Sequence, residues 1–371
     1  MELNNKPTIL HLTTSMDTGG MERQLLLTIP RLHDFNHVII CLKKWGTIGD
    51  QLKTLGFPVY FVPTPHLFSL RATTQCKKIV QHHKPNLIIT YLPFADIFGR
   101  ILGRYSGIAR VICFLHSTMR EWRYFPLVIL NIVTQRWVNH FFAVSNSVRE
   151  RYERLGLSRG ATDVIHNGVV IPVDEKSSDM HYILTLLPKL PNDTHLLGYV
   201  GQLRKERGHE LLFRIIKILQ TRKVGAHLAL IGDGPYRVIL EAHLAQLGIR
   251  DMVTFLGYRS DVPKLLSEFS VYVHPSIYEG MSVALLEAMA AGCPIITTDI
   301  PENRELIQND THGILVPPKN PEALADAIEF ALKNPEKMRQ LGDNARQRAQ
   351  ETFNIDHTVA QLTQLLQKYA K

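Results

Sequence analysis

Apolar residues gather in short runs along the first half of the chain. These are Thr8–Leu12, His37–Cys41, Pro58–Val62, Asn86–Tyr91, Arg110–Leu115, His140–Ser145 and Thr162–His166. Their length and β-branched content predict strands. Amphipathic stretches such as Met21–His33 and Arg71–His83 lie between them, and the alternation predicts βαβ units on a parallel sheet. Residues 167–194 break the rhythm with Asn167-Gly168, Pro172, Ser177-Ser178-Asp179, Pro188 and Pro191, and an interdomain linker is placed at 171–194. A second series follows, with strands expected at His195–Gly201, His227–Ile231, Met252–Phe255, Val271–His274, Pro294–Thr298 and Gly313–Val316. Its helices are expected at 208–221, 235–247, 261–268, 282–291, 301–308 and 321–332. A last helix, 356–370, carries Val359, Leu362, Leu365 and Leu366 on one stripe. The predicted fold class is α/β: two Rossmann-like doubly wound domains, 1–170 and 195–355, facing across a cleft, with 356–371 packing back on the first. Ligands of such sheets bind at the carboxyl ends of strands, so the loops after strands are searched for chemistry.

Composition narrows the class. A chain of 371 residues with 45% hydrophobic and 20% charged residues is an ordinary globular protein, not a disordered one. Cys41, Cys76, Cys113 and Cys293 are far apart and form no C-x-x-C pair, so they read as reduced, mostly buried thiols. The N-terminal residues show no signal peptide, and the longest uncharged stretch, Thr54–Leu70, holds Pro58, Pro63 and Pro65 and cannot be a spanning helix. Any membrane contact is therefore expected to be peripheral, and the location cytoplasmic, on the inner face of the plasma membrane where it touches one. The net charge of +8 is unevenly placed. Residues 1–180 hold 21 Lys and Arg against 13 Asp and Glu, whereas 181–371 hold 21 of each. The basic half is either a solubility charge or a surface for an anionic partner. The segment Arg120–Arg136, followed by Trp137, is apolar between Arg and Trp flanks and too short to span a bilayer. It either packs on the first sheet or docks on an anionic membrane.

The strongest local signal runs from Ser276 to Gly292. A strand enters a loop, and a helix begins near Ser282 or Val283 with Ser282 as an N-cap type. The amides of Gly280, Met281, Ser282 and Val283 would form an anion site at the positive end of that helix. Glu279 precedes it, and Glu287 sits roughly 7–8 Å along it from Ser282. Two carboxylates about an anion site match a nucleotide sugar; read singly, Glu279 is equally a loop residue and Glu287 a solvated helix residue. The loop Gly201-Gln202-Leu203-Arg204-Lys205-Glu206-Arg207-Gly208 is either a diphosphate clamp or a solvated basic loop. Gly19-Gly20 before a helix either approaches a phosphate closely or makes an ordinary turn. His116, at a strand end, either touches an acceptor hydroxyl or sugar or is structural. No Asp-x-Asp triplet and no P-loop motif occurs, so a leaving diphosphate must be neutralised by Arg, Lys and helix dipoles, and no metal or cofactor is expected.

Taken together, the chain resembles glycosyltransferase family 4, the large retaining family of GT-B fold. The resemblance rests on Gly19-Gly20-Met21-Glu22, Val164–Val169, Tyr199–Gly208, Ile231-Gly232-Asp233-Gly234-Pro235, the Glu279-x7-Glu287 spacing and Leu315-Val316-Pro317-Pro318. It implies a C-terminal donor domain and an N-terminal acceptor domain. It also implies that Glu279 contacts the donor sugar, Glu287 the ribose, and the amides at 280–283 and at Gly19 and Gly20 the diphosphate. His116 would lie near the reacting sugar, and Gly201, Arg204 and Arg207 in the phosphate loop. Gln202 stands where the family has Arg, and Arg207 where it has Lys.

The implied activity is retaining, metal-independent transfer of a sugar from a UDP- or GDP-linked donor to a glycan or lipid-linked acceptor, in polysaccharide, lipopolysaccharide or glycolipid synthesis, with no nucleic-acid partner. Two alternatives stay open: a nucleotide-sugar epimerase of similar fold, and a non-catalytic, transferase-like binding subunit, which the loss of Arg at Gln202 favours.

Overall fold

The computed structural model describes residues 6–108, 110–117, 125–158, 160, 162–172, 182–191 and 193–370. It divides into two compact units, Met1–Gly168 with Ile355–Lys371, and Val169–Asn354.

In the first unit, β1 (Thr8–Ser15), β2 (Asn36–Lys44), β3 (Val59–Phe61), β4 (Leu87–Tyr91), β5 (Val111–Leu115), β6 (His140–Ala143) and β7 (Thr162–Val164) form one sheet in the order β3-β2-β1-β4-β5-β6-β7. Every pairing is parallel. The β4 and β5 strands are buried at every position, as a sheet covered on both faces requires. The helices α1 (Gly20–Thr28), α2 (Thr47–Thr54), α3 (Leu70–His83), α4 (Pro93–Ser106), α5 (Phe125–Thr134) and α6 (Asn146–Arg154) follow its strands. Strand order reverses between β1 and β4, the switch point at which ligands collect in such sheets.

The second unit repeats the plan. Its strands β8 (His195–Val200), β9 (Ala226–Ile231), β10 (Val253–Gly257), β11 (Val271–His274), β12 (Ile295–Thr298) and β13 (Ile314–Val316) lie parallel in the order β10-β9-β8-β11-β12-β13, with the switch between β8 and β11. Its helices are α7 (His209–Thr221), α8 (Arg237–Leu247), α9 (Val262–Leu266), α10 (Val283–Ala290), α11 (Pro301–Leu306), α12 (Pro321–Lys333) and α13 (Pro335–Thr352). The last helix, α14 (Ile355–Tyr369), counts with the first unit. Thr358 Oγ1 donates to the His166 carbonyl, Arg110 donates to the Tyr369 carbonyl, and the Tyr369 ring stacks on His140.

Two features differ from the sequence expectation. The described part of the expected linker, 171–194, is no separate tether but belongs to the second unit. Ile183 is buried, its N–H donates to Glu268, and Tyr182 Oη donates to Asp261, so this segment has tertiary bonds that a linker lacks. The α13 helix is not among the expected elements. Its buried stripe is Met338, Leu341, Gly342, Ala345 and Ala349, mostly small residues, so the helical period is faint in hydrophobicity. Small residues there let α13 approach α10 closely: a Cβ on Gly342 would stand 2.3 Å from the Gly292 carbonyl oxygen.

Gly342→Ala tests that approach. In an exposed helix the change stabilises through helix propensity; here the methyl meets backbone, and about 1–3 kcal/mol of destabilisation is expected in urea unfolding.

Candidate active site

The site is assembled in the second unit by contacts between backbones. After β8, residues 201–208 run past the turn that follows β9. A Cβ on Gly232 would lie 2.1 Å from the Gly201 carbonyl oxygen, and one on Gly234 2.5 Å from that of Leu203. Leu203 N–H donates to the Asp233 carbonyl, and Tyr236 N–H donates to the Leu203 carbonyl. The loop ends at Gly208, whose φ of 76° is left-handed and whose Cβ would stand 2.6 Å from the Pro275 carbonyl oxygen. Only glycine meets both demands. This packing delivers Arg207 to the segment after β11, where its Nη1 donates to Glu279 Oε1.

Glu279 is buried and its carboxylate accepts further bonds. Ser276 Oγ donates to Glu279 Oε1 at 2.8 Å, and His274 Nε2 lies 3.3 Å from the same oxygen and 3.2 Å from Ser276 Oγ. Tyr272 Oη is 3.3 Å from His274 Nδ1. A carboxylate only accepts, so the network assigns the proton to Nε2 and leaves Nδ1 to accept from Tyr272. Burial alone would push the Glu279 carboxyl up; the Arg207 guanidinium, with His274 behind it, outweighs burial and holds it down to about 2. Glu279 in turn raises Arg207. The pair is therefore ionised across the physiological range, with the Arg207 side chain still 37% exposed and open to a ligand.

Ser282 caps α10, its Oγ accepting from Leu285 N–H at 3.3 Å, and the helix starts at Val283. Met281, Ser282, Val283 and Glu287 are buried, Glu287 in the second turn. The second unit thus carries Gly201, Arg207, Glu279, Gly280, Met281, Ser282, Val283 and Glu287 on the segments that leave β8 and β11. Arg204 is exposed, and its carbonyl accepts from His209 Nδ1 at 3.1 Å.

The remaining expected residues lie in the first unit. Gly19 caps α1, and a Cβ there would meet Glu22 Oε2 at 2.3 Å, so Gly19 makes room for the carboxylate of the helix's first turn. Gly20 is exposed. His116 follows β5, packed against Phe114 and Tyr91 with ring centroids 4.6 and 5.8 Å away. Burial pushes its imidazole down to about 3, so it is neutral, and its Nε2 has no hydrogen-bond partner among the described residues. It lines a cavity of about 20 Å³ with His11, Gln24, Tyr91 and Asn167, room for one water.

Sequence reasoning missed the groups behind both sites. Tyr272, His274 and Ser276 alternate, and that period of two was the available signal for polar groups on one face of a strand. In the first unit His37 Nε2 donates to the Leu32 carbonyl, His11 Nε2 donates to His37 Nδ1 at 2.9 Å, and Tyr91 Oη donates to His11 Nδ1 at 2.9 Å. One carbonyl fixes the tautomer of the whole chain. Burial, then His37, lowers His11 well below its ordinary value, and burial lowers His37.

Comparisons with known proteins bear on the family and the fold. Residues 18–171 match the model described as Glycosyltransferase Family 4, and residues 188–348 that of Glycosyl transferases group 1. The chain belongs to glycosyltransferase family 4. The fold of this family member is GT-B. A crystal structure of Anabaena HepE with UDP and glucose superposes with a TM-score of 0.85 at 21% identity, covering 98% of this chain and all of that one. That of WaaG, a glycosyltransferase of lipopolysaccharide biosynthesis, gives 0.76 at 15% identity, covering 96% of this chain and 99% of the other. Among sequence relatives, an Escherichia coli enzyme named UDP-Gal:alpha-D-GlcNAc-diphosphoundecaprenol alpha-1,3-galactosyltransferase is 23% identical over 98% of this chain and 97% of its own. The alpha-D-kanosaminyltransferase of Streptomyces kanamyceticus is 33% identical over 42% of this chain. It and a Methanocaldococcus jannaschii glycosyltransferase, 34% identical over 45% of this chain, are matched over only 40% and 43% of their own length.

The pairing of Glu279 has a signature in acid. A carboxyl lowered on folding stabilises the protein above its ordinary value of 4.5, and that contribution is lost as pH falls toward about 2. Urea midpoints of the parent should therefore fall more steeply than those of Glu279→Gln between those pH values; parallel curves would show that Glu279 is not held ionised by Arg207.

Proposed function

We propose that this protein is a retaining glycosyltransferase that moves a sugar from a nucleoside diphosphate, UDP- or GDP-linked, to an acceptor hydroxyl without a metal ion. The Arg207–Glu279 pair beside the N-terminus of α10 carries this reading. Arg207 and the amides at 280–283 present positive charge to the diphosphate. Glu279, pinned by Ser276 and His274, presents carboxylate oxygen to sugar hydroxyls, and Glu287 to the ribose. Gly201 leaves room for the phosphates, and Arg204 is a second cation on the same loop.

In the reaction, the bond between the anomeric carbon and the diphosphate oxygen breaks. A bond from the acceptor oxygen to that carbon forms on the same face, and the acceptor proton passes to the departing phosphate. The protein's part is alignment and charge stabilisation. His116, neutral and with its Nε2 unsatisfied, serves as a hydrogen-bond group for an acceptor or donor hydroxyl rather than as a cation. The absence of any Asp-x-Asp triplet supports neutralisation by Arg207 and the helix end. The E. coli relative, whose name specifies a diphosphoundecaprenol-linked acceptor, and the capsular polysaccharide relative CapM of Staphylococcus aureus support a glycan or lipid-linked acceptor in envelope synthesis.

Glu279→Gln should keep the fold and lower transfer by about two orders of magnitude. Glu287→Ala should mainly weaken nucleotide binding, by about tenfold. Parent rates in both variants would overturn the assignment. Transfer should persist in EDTA, and Arg207→Ala should cost more activity than Arg204→Ala; activity lost to chelator and restored by Mn²⁺ would remove the metal-free reading. Nucleotide release measured with and without acceptor separates transferase, epimerase and binding subunit.

A further inference from the structure

The cavity beside His116 lies at the end of a hydrogen-bond chain with a fixed direction. The Leu32 carbonyl can only accept, so His37 gives it the Nε2 proton at 3.0 Å and keeps a bare Nδ1. That nitrogen takes the Nε2 proton of His11, and His11 Nδ1 takes the hydroxyl proton of Tyr91, each at 2.9 Å. Burial lowers both His11 and His37, so each ring carries a single proton and the order holds. Tyr91 is the last member. Its proton is spent on His11, so its oxygen serves the cavity that it lines only as an acceptor.

His116 lines the same cavity, and its Nε2 is buried with no hydrogen-bond partner among the described residues. Its ring centroid is 5.8 Å from that of Tyr91, at 44°. Other polar side chains of the wall are already engaged. Gln24 Nε2 donates to the Gly168 carbonyl at 2.8 Å while its Oε1 accepts from the Gly168 N–H at 2.9 Å, and Thr358 Oγ1 donates to the His166 carbonyl at 3.2 Å. The space that Tyr91 and His116 share has a volume of about 20 Å³. A water needs about 10–15 Å³ of such space and at least two polar partners, and both conditions are met. A buried imidazole nitrogen left unserved is costly, so the site rewards an occupant that can hydrogen-bond.

We propose that one water fills this cavity, donates to Tyr91 Oη and accepts from His116 Nε2–H, so that His116 presents Nδ1 as a bare acceptor to a substrate hydroxyl. The direction follows from the chain. Tyr91 only accepts, so the water must donate to it. A water that accepts on one side donates more strongly on the other, and with His116 as its donor every bond from His116 to Leu32 runs the same way. Burial keeps the imidazole neutral, so only one nitrogen holds a proton. Tyr91, His11 and His37 are then positioning residues that act through His116. The tautomer they select favours a ligand group that can donate; a carboxylate or keto oxygen at that place would face a lone pair. The step to a substrate rests on the reading of His116 as a ligand contact, whereas the water and the tautomer do not.

The test uses the full chain, without substrate, its imidazole nitrogens isotope-labelled. Two-bond proton–nitrogen spectra, with the His116 signal identified by its loss in His116→Gln, should show Nε2 protonated and Nδ1 bare near neutral pH. A crystal structure that resolves ordered solvent should place one water within hydrogen-bond distance of Tyr91 Oη and His116 Nε2. Tyr91→Phe keeps the ring and removes the hydroxyl. In that variant, folded by its thermal melt, His116 should become a mixture of tautomers, and nucleotide release in the transfer assay should fall about fivefold. A His116 protonated on Nδ1 in the parent, or a dry cavity, overturns the proposal. So does a parent-like tautomer in Tyr91→Phe, which would reduce the chain to a structural role. A changed tautomer with parent-like release overturns the step to a substrate hydroxyl. Because the spectra are recorded without substrate, failure of the donor-site reading leaves their result intact.

Discussion

Glu279 sets the terms for the second unit. A carboxylate removed from water must be given a cation and donors, or it stays protonated. Arg207, Ser276 and His274 supply these at one oxygen. Arg207 reaches it only because the loop that carries it is pressed between the Gly232–Gly234 turn and Pro275, at distances that exclude any Cβ. The glycines of this unit thus act through electrostatics: their missing side chains bring two opposite charges together. The pair also couples binding to charge, because an anion that reaches Arg207 shares that cation with Glu279.

The first unit solves a similar problem with another outcome. Arg100 is buried beside Asp96, whose carboxyl burial pushes up to about 6 against the pull of Arg100 and the Thr90 hydrogen bond. Its guanidinium is satisfied mainly by neutral groups, Asn131 and Thr134, and that demand turns the polar face of α5 inward. Burial likewise lowers His11, His37 and His116 in this unit. His11 and His37 share a chain of hydrogen bonds ending on a carbonyl, and burial lowers His116 to about 3. The cavity beside His116 is therefore lined by neutral polar groups.

Much of the fold could be read from local pattern. Both parallel sheets, the capping of α10 by Ser282 and the Glu279-x7-Glu287 spacing follow from residue order, because strand period, helix caps and motif spacing are properties of neighbours in the chain. The cysteines are free and buried, as their spacing implied. Three things were not local. The α13 helix was hidden because its packing against α10 needs small residues, which carry little hydrophobic signal. The segment at 182–191 reads as linker by composition and is tied down by Asp261 and Glu268, which are distant in sequence. The direction in which α5 faces could not be read from its own apolar run. It depends on a buried arginine in another helix, and hydrogen bonds between elements leave no period in the sequence of either. Residue order by itself singled out Arg207, Glu279 and Glu287 and placed them on segments that leave strands. Tertiary structure alone decided that Arg207 and Glu279 neutralise each other, because that contact spans 72 positions and is made by backbone packing rather than by any pattern the chain displays.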